Sequence, residues 1–188
     1  MIEEIIKKRS AVYPKSYNGE TISKEVLLEL LDLANRAPSH RKTEPWRFGV
    51  FHSEESRSRL AEFLANDYKM QNAQGGFSEF KYNKILKKPM QSGVVLSVIM
   101  QRDPEERVPE WEEIAAVAMA VQNIWLACTS KKIGCYWSSP SAMTQRAVSF
   151  LGLKPGERCL GLIYMGKVDA LIDKDREIGS IEEKLYWM

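Results

Sequence analysis

VVLSVIMQRDPEERVPEWEEIAAVAMAV, residues 94–121, carries two different hydrophobic signals one after the other. VVLSVIM (94–100) is apolar on both faces, short and rich in β-branched residues, which predicts a central strand rather than a helix. Pro109 at the first helical position, with Glu110, Glu112 and Glu113 in the first turn, then launches a long helix to about Ser130. The middle of that helix, IAAVAMAV (114–121), is apolar all round. In a water-soluble chain such a helix must be covered on every side, by its own sheet, by other helices or by a second subunit, which points to an oligomer.

Working outward, Ile2, Ile5 and Ile6 have the helical period and end in Lys7, Lys8 and Arg9, where cations complement the helix dipole. After a loop at Tyr13–Gly19, Ser23 caps a helix carried by Val26, Leu27, Leu30, Leu31 and Ala34, ending near Arg36 because Ala37 precedes Pro38. Trp46–Phe51 reads as a strand. Ser53 opens another helix that dissolves at Gly75-Gly76, and Asn72 to Pro89 reads as a surface segment with at most one short helix. Gly134–Trp137 is a strand, Ser139-Pro140 starts a helix to Leu151, Gly152 stops it, and Cys159–Met165 is the last strand. No linker divides residues 1–188, so four strands interleaved with about five helices give one domain, a single layer of sheet wrapped by helices.

Composition excludes several function classes. The 27 Lys and Arg against 25 Asp and Glu leave a formal charge of +2, which argues against nucleic acid or an anionic membrane surface as the main partner. No apolar run reaches the roughly 18 residues of a membrane span. Two histidines and three scattered cysteines make a metal site improbable, and the odd cysteine count with no signal-like N-terminus predicts a reducing, cytoplasmic setting.

Three polar clusters remain. Lys8-Arg9-Ser10 offers two cations and a hydroxyl for a phosphate, although a basic helix end is also what the dipole alone selects. Arg36-Ala-Pro-Ser-His40-Arg-Lys-Thr-Glu-Pro-Trp46 is either a binding loop or a solvated basic turn before a strand. Trp137-Ser138-Ser139-Pro140 places hydroxyls at a strand end before a helix, as an anion or carbonyl site or as plain capping by Ser139.

The order of these clusters resembles the nitroreductase family of FMN-dependent oxidoreductases: basic-Arg-Ser near the start, R-A-P-S with P-W before the first strand, G-x-x-W-S-S late and a closing Y-M-G-K. R-A-P-x-H at Arg36–His40 and V-P-x-W-E at Val108–Glu112 are most similar to the short bacterial subgroup of minimal nitroreductases. The resemblance implies an α+β fold with a mostly antiparallel sheet of four to five strands flanked by helices. It also implies an intertwined homodimer with FMN at each end of its interface. By match to the motifs, Lys8, Arg9 and Ser10 would bind the FMN phosphate and ribitol, and Trp137, Ser138 and Ser139 would line the opposite side. Arg36 and His40 would contact the flavin, at least one of them from the partner chain. Arg176 is a further phosphate candidate or an exposed tail charge.

The implied reaction takes hydride from NADH or NADPH and reduces a small nitroaromatic or quinone-type acceptor by a ping-pong route, with no catalytic side chain. Asn72–Pro89 and Trp111 would form a wall above the flavin, or else an ordinary loop and a packed aromatic. Val12 stands where the family pattern has a second Arg, and Lys42 and Glu44 where it has Asn and Gln. These departures leave two competing readings: a flavin-binding or sensing protein without efficient turnover, and another flavin chemistry such as reductive dehalogenation or flavin fragmentation.

Overall fold

The computed structural model describes residues 1–170 and 178–188. Its helices are α1 (Ile2–Lys8), α2 (Lys24–Ala34), α3 (Glu54–Gln71), α4 (Glu79–Met90), α5 (Glu110–Ser130), α6 (Ser141–Arg146) and α7 (Val148–Leu151). Its strands are β1 (Trp46–Phe51), β2 (Val94–Gln101), β3 (Ile133–Ser138) and β4 (Glu157–Lys167). They form one antiparallel sheet in the order β1-β2-β4-β3, so β2 and β4 lie inside it and β3 is an edge.

The continuous apolar run of β2 is explained by this position: alternate residues face opposite layers, and both layers are covered. Leu96, Val98 and Met100 pack with Ile163 and Met165 against α2 and α5. Val95 packs on the other side with Leu162 and Tyr164, against Leu60 and Leu64 of α3 and Met143 of α6. A bulge shifts the β2–β4 register between Val98 and Ile99, and Gly161, beside it, has φ +137°. A side chain there would meet the Ser138 carbonyl and lie 2.8 Å from Trp137 Nε1, so glycine lets the end of β3 close onto β4.

Two predicted elements differ in form. The segment expected to hold at most a short helix contains the 12-residue α4, capped by Ser78 and anchored through the half-buried Ile85, with Pro89 in its last turn. The helix predicted from Ser139 to Leu151 is two short ones meeting at Ala147, and Pro140, not Ser139, is the N-cap residue. Ser139 is exposed and caps nothing through its side chain. Gly152 ends α7 in the left-handed region, as expected.

The β2–α5 connection is tied by charge. Buried Glu113 pairs with Arg102 and accepts from the Asp103 amide at 2.9 Å, while Arg107 Nε donates to Asp103 at 2.7 Å. The Arg107 hydrogen bond holds the Asp103 carboxyl down at a pKa of about 2. A carboxylate whose pKa is depressed on folding stabilises the fold above its unfolded pKa of about 4, and that contribution is lost as pH falls toward the folded value. Denaturant titrations between pH 4 and pH 2 are therefore expected to show stability falling in the unaltered protein. Asp103→Asn should be less stable at neutral pH and flatter across this window; identical pH profiles would remove the ion pair from the account.

Tyr17 fastens the N-terminal segment to the sheet. Its ring lies over Gly134 of β3 and Gly166 of β4, where any β-carbon would collide with it, and its hydroxyl is 2.9 Å from both the Val12 and Tyr164 carbonyls. Burial pushes this hydroxyl's pKa far up, so it stays a donor. Gly166→Ala is expected to cost about 1–3 kcal/mol by overpacking against Tyr17, measured by denaturant unfolding. A variant as stable as the parent would show that Tyr17 is not held there.

Candidate functional site

The chain leaves α1 at Arg9 and runs extended beside the open edge of β3, where the Val12 amide donates to the Cys135 carbonyl at 3.0 Å. The Arg9 guanidinium lies over the Trp125 ring, 4.7 Å from its centroid, and Trp125 Nε1 donates to the Ser10 carbonyl at 3.2 Å. These contacts fix the Arg9–Ser10 backbone against α5, with Lys8 exposed in the preceding turn. Burial raises the Cys135 thiol pKa well above the ordinary range, and the charge of Arg9 partly opposes this, which marks Arg9 as a neighbour of β3. Lys8, Arg9 and Ser10 thus form a dibasic, hydroxyl-bearing turn pinned at a sheet edge.

Trp137 follows Cys135 on the same face of β3 and packs against the α2–α5 core. Its Nε1 is buried without a hydrogen-bond partner among the described residues. A buried indole N–H is normally paired; this one lies against the backbone of Gly161 in β4, where a β-carbon would come within 2.8 Å of it. Ser138 alternates to the other face and lines a cavity of about 310 Å³ with Pro140, Tyr164 and Lys88. The three residues of the Trp137–Ser139 motif therefore do not share one surface.

The second motif lies elsewhere. His40 Nδ1 is 2.5 Å from Glu112 in the first turn of α5, while Arg36, just beyond the end of α2, is exposed and 3.5 Å from Asp32 of that helix. Along α5 the 13 residues from Glu112 to Trp125 span roughly 20 Å, so His40 and Arg9 stand far apart on one chain. The loop between His40 and Trp46 holds three non-glycine residues at positive φ, Arg41, Lys42 and Glu44, a strained turn that aims these side chains outward. Val12 is 5% exposed and packed, so it supplies no charge where the family pattern has Arg. Arg176 lies outside the described residues. Trp111 is 68% exposed, contrary to the packed-aromatic alternative, and Met119 of α5 is 41% exposed.

Trp125 and Tyr17 were not singled out by the sequence. Trp125 sits inside a helix whose apolar run explains it as core, and Tyr17 sits in a polar turn. Only the tertiary arrangement shows them positioning Arg9, Ser10 and Val12.

The model of the nitroreductase family matches residues 6–167. The chain belongs to the nitroreductase family. Members of this oxidoreductase family similar to it include YfhC of Bacillus subtilis (strain 168), named by inference an NAD(P)H nitroreductase, which is 29% identical over 170 residues, 90% of this chain and 85% of that protein. The crystal structure of a nitroreductase-like family protein from Bacillus cereus superposes with a TM-score of 0.80 at 26% identity, covering 100% of this chain and 96% of that one. A nitroreductase-type protein from Desulfovibrio desulfuricans, crystallised in complex with FMN, gives 0.73 at 23% identity, with the same 100% and 96% coverage. The nitroreductase family match spans the Arg9–Ser10 turn, the Arg36–His40 loop and the Trp137–Ser139 strand end, the three motifs on which the resemblance rested.

Proposed function

We propose that this nitroreductase-family chain is an FMN-dependent oxidoreductase that takes hydride from NADH or NADPH and reduces a small electron-poor acceptor of nitroaromatic or quinone type. The observation that carries this reading is the Lys8-Arg9-Ser10 turn, pinned on Trp125 where the chain meets the open edge of β3, the strand that also bears Trp137. Two cations and a hydroxyl suit the phosphate that FMN carries.

Bound FMN supplies the redox chemistry, a hydride in and electrons out. The chain's own residues bind and orient. Lys8, Arg9 and Ser10 hold the phosphate and ribitol, Trp125 keeps Arg9 from swinging into solvent, and the far wall is formed from the end of β3, by Trp137 on one face or by Ser138 and the exposed Ser139 beyond it. Because Val12 is buried and neutral, a cation near the flavin has to come from Arg9, Arg36 or Lys42, and Arg176 remains a further phosphate candidate. No side-chain nucleophile is required.

The protein acts as a homodimer in this reading. Met119 leaves part of the apolar α5 exposed, and Ala115 and Ala118 beside it are only partly covered. A two-fold copy packed on α5 would bring the His40 end of one chain to the Arg9 end of the other, which assembles one site from both motifs. The apolar length of α5 is thereby an interface helix rather than a membrane span. The free, buried thiols Cys128, Cys135 and Cys159 suit a reducing compartment, the cytoplasm.

Initial rates with nucleotide and acceptor varied together test the reaction type. Parallel double-reciprocal lines are expected, since donor and acceptor occupy the same space in turn. Intersecting lines would contradict alternating occupancy, and absence of any nucleotide-dependent acceptor reduction would favour a flavin-binding protein without turnover.

A further inference from the structure

Leu60, Leu64, Asp67 and Tyr68 recur at helical spacing on the buried stripe of α3, where an apolar side chain is expected, yet Asp67 is a carboxylate only 6% exposed. Its partner lies 79 positions away: Arg146, the last residue of α6, donates from Nε to one carboxylate oxygen and from Nη2 to the other, the latter at 2.8 Å. The same Nη2 is 2.9 Å from the Oγ of Ser141, the first residue of α6. One planar guanidinium therefore ties both ends of this six-residue helix to α3.

A buried ion pair adds little net stability over apolar side chains of similar size, because desolvation of the two charges offsets their attraction. What it fixes is direction. A two-pronged Arg–carboxylate contact admits one orientation, whereas the apolar packing of Ala142 and Met143 with Leu60 and Leu64 is non-directional. The orientation of α6 in turn decides where the end of β3 stands. Ser138, opposite Leu162, is the last residue that β3 pairs with β4, so Ser139 and Pro140 lie beyond the ladder. No side chain caps α6, and the Pro140 carbonyl accepts from the Met143 amide at 2.9 Å and the Thr144 amide at 3.1 Å. Asp67, Arg146, Ser138 and Ser141 all line the same cavity of about 310 Å³.

We propose that Asp67 and Arg146 are positioning residues for the candidate flavin site: acting through α6, their ion pair sets where the end of β3 and Ser139 beyond it stand against the cofactor. That role rests on the flavoenzyme reading; the hold on the strand end does not.

Two variants test the proposal by hydrogen exchange, denaturant unfolding and FMN titration. Asp67→Leu with Arg146→Met removes both charges at similar volume, and Arg146→Lys keeps the charge but removes the fork. In both, the Met143 and Thr144 amides of the FMN-free protein are expected to exchange roughly tenfold faster, while the unfolding midpoint of the apolar pair stays at the parent's. FMN binding is expected to weaken roughly tenfold in the same variants and the visible bands of bound FMN to move, a response that lost stability alone would not give. Unchanged exchange, faster exchange with FMN affinity and bands unchanged, or a midpoint of the apolar pair that falls in step with its affinity overturns the proposal. A parent protein that FMN cannot load fails the flavoenzyme reading instead, and exchange in the FMN-free protein still decides whether the ion pair holds the strand end.

Discussion

Arg9→Gln combined with Ser10→Ala is expected to weaken FMN binding by roughly 100-fold or more, with the fold intact. Each charge-assisted hydrogen bond to a phosphate contributes about 1.5–3 kcal/mol, and the pair removes at least two of them. The fold should survive because neither side chain is buried in the core: Arg9 lies on the Trp125 ring, and Ser10 contributes its backbone carbonyl, not its hydroxyl, to the Trp125 hydrogen bond. Flavin fluorescence titration of the apoprotein reads the affinity, and circular dichroism checks the fold. Unchanged affinity in a folded variant would sink the phosphate assignment.

Met119→Arg has the second large expected effect. Val117 and Val121 are fully buried within one chain, so a charge there would unfold the protomer and say nothing about assembly. Met119 is 41% exposed on the same helix, and a guanidinium at this position is tolerated by a monomer but not by an apolar helix–helix seam. The expected result is a folded monomer in sedimentation velocity that has lost most of its flavin, because the His40 and Arg9 motifs no longer meet. A variant that stays dimeric, or a monomer that retains full flavin, would separate the interface from the site.

The layered core was legible in the sequence because burial on both faces leaves an unambiguous trace: VVLSVIM has one polar residue, Ser97, buried with the rest, and so no polar face to alternate with. Residues 72–89 were harder. α4 carries Lys81, Lys84, Lys87 and Lys88 and has Pro89 in its last turn, so the stretch reads as a polar surface segment, although Ile85 and Pro89 mark an inner face. The helix after Pro140 breaks at Ala147, which carries no breaking signal of its own.

For the site, the motif positions were readable but their spatial grouping was not. Arg9 and Trp125 meet across more than half the chain, as do His40 and Glu112 across 72 positions. Strand alternation separates Trp137 from Ser138 in a way the run of letters W-S-S conceals. His40 lies away from Arg9 on the same chain, at the other end of α5, which is intelligible when the site is shared between two copies; Arg36 instead lines a cavity with Ile2 and Ile5 of α1.

The central claim is that this chain carries a reducible flavin, and the near-ultraviolet and visible absorbance spectrum of the purified protein, taken without oxygen before and after NADH and then NADPH, tests it most directly. The account predicts the two bands of oxidised flavin, bleached by at least one nucleotide and restored by a nitroaromatic or quinone. A colourless protein that FMN cannot reconstitute, or a yellow one that neither nucleotide bleaches, would contradict it.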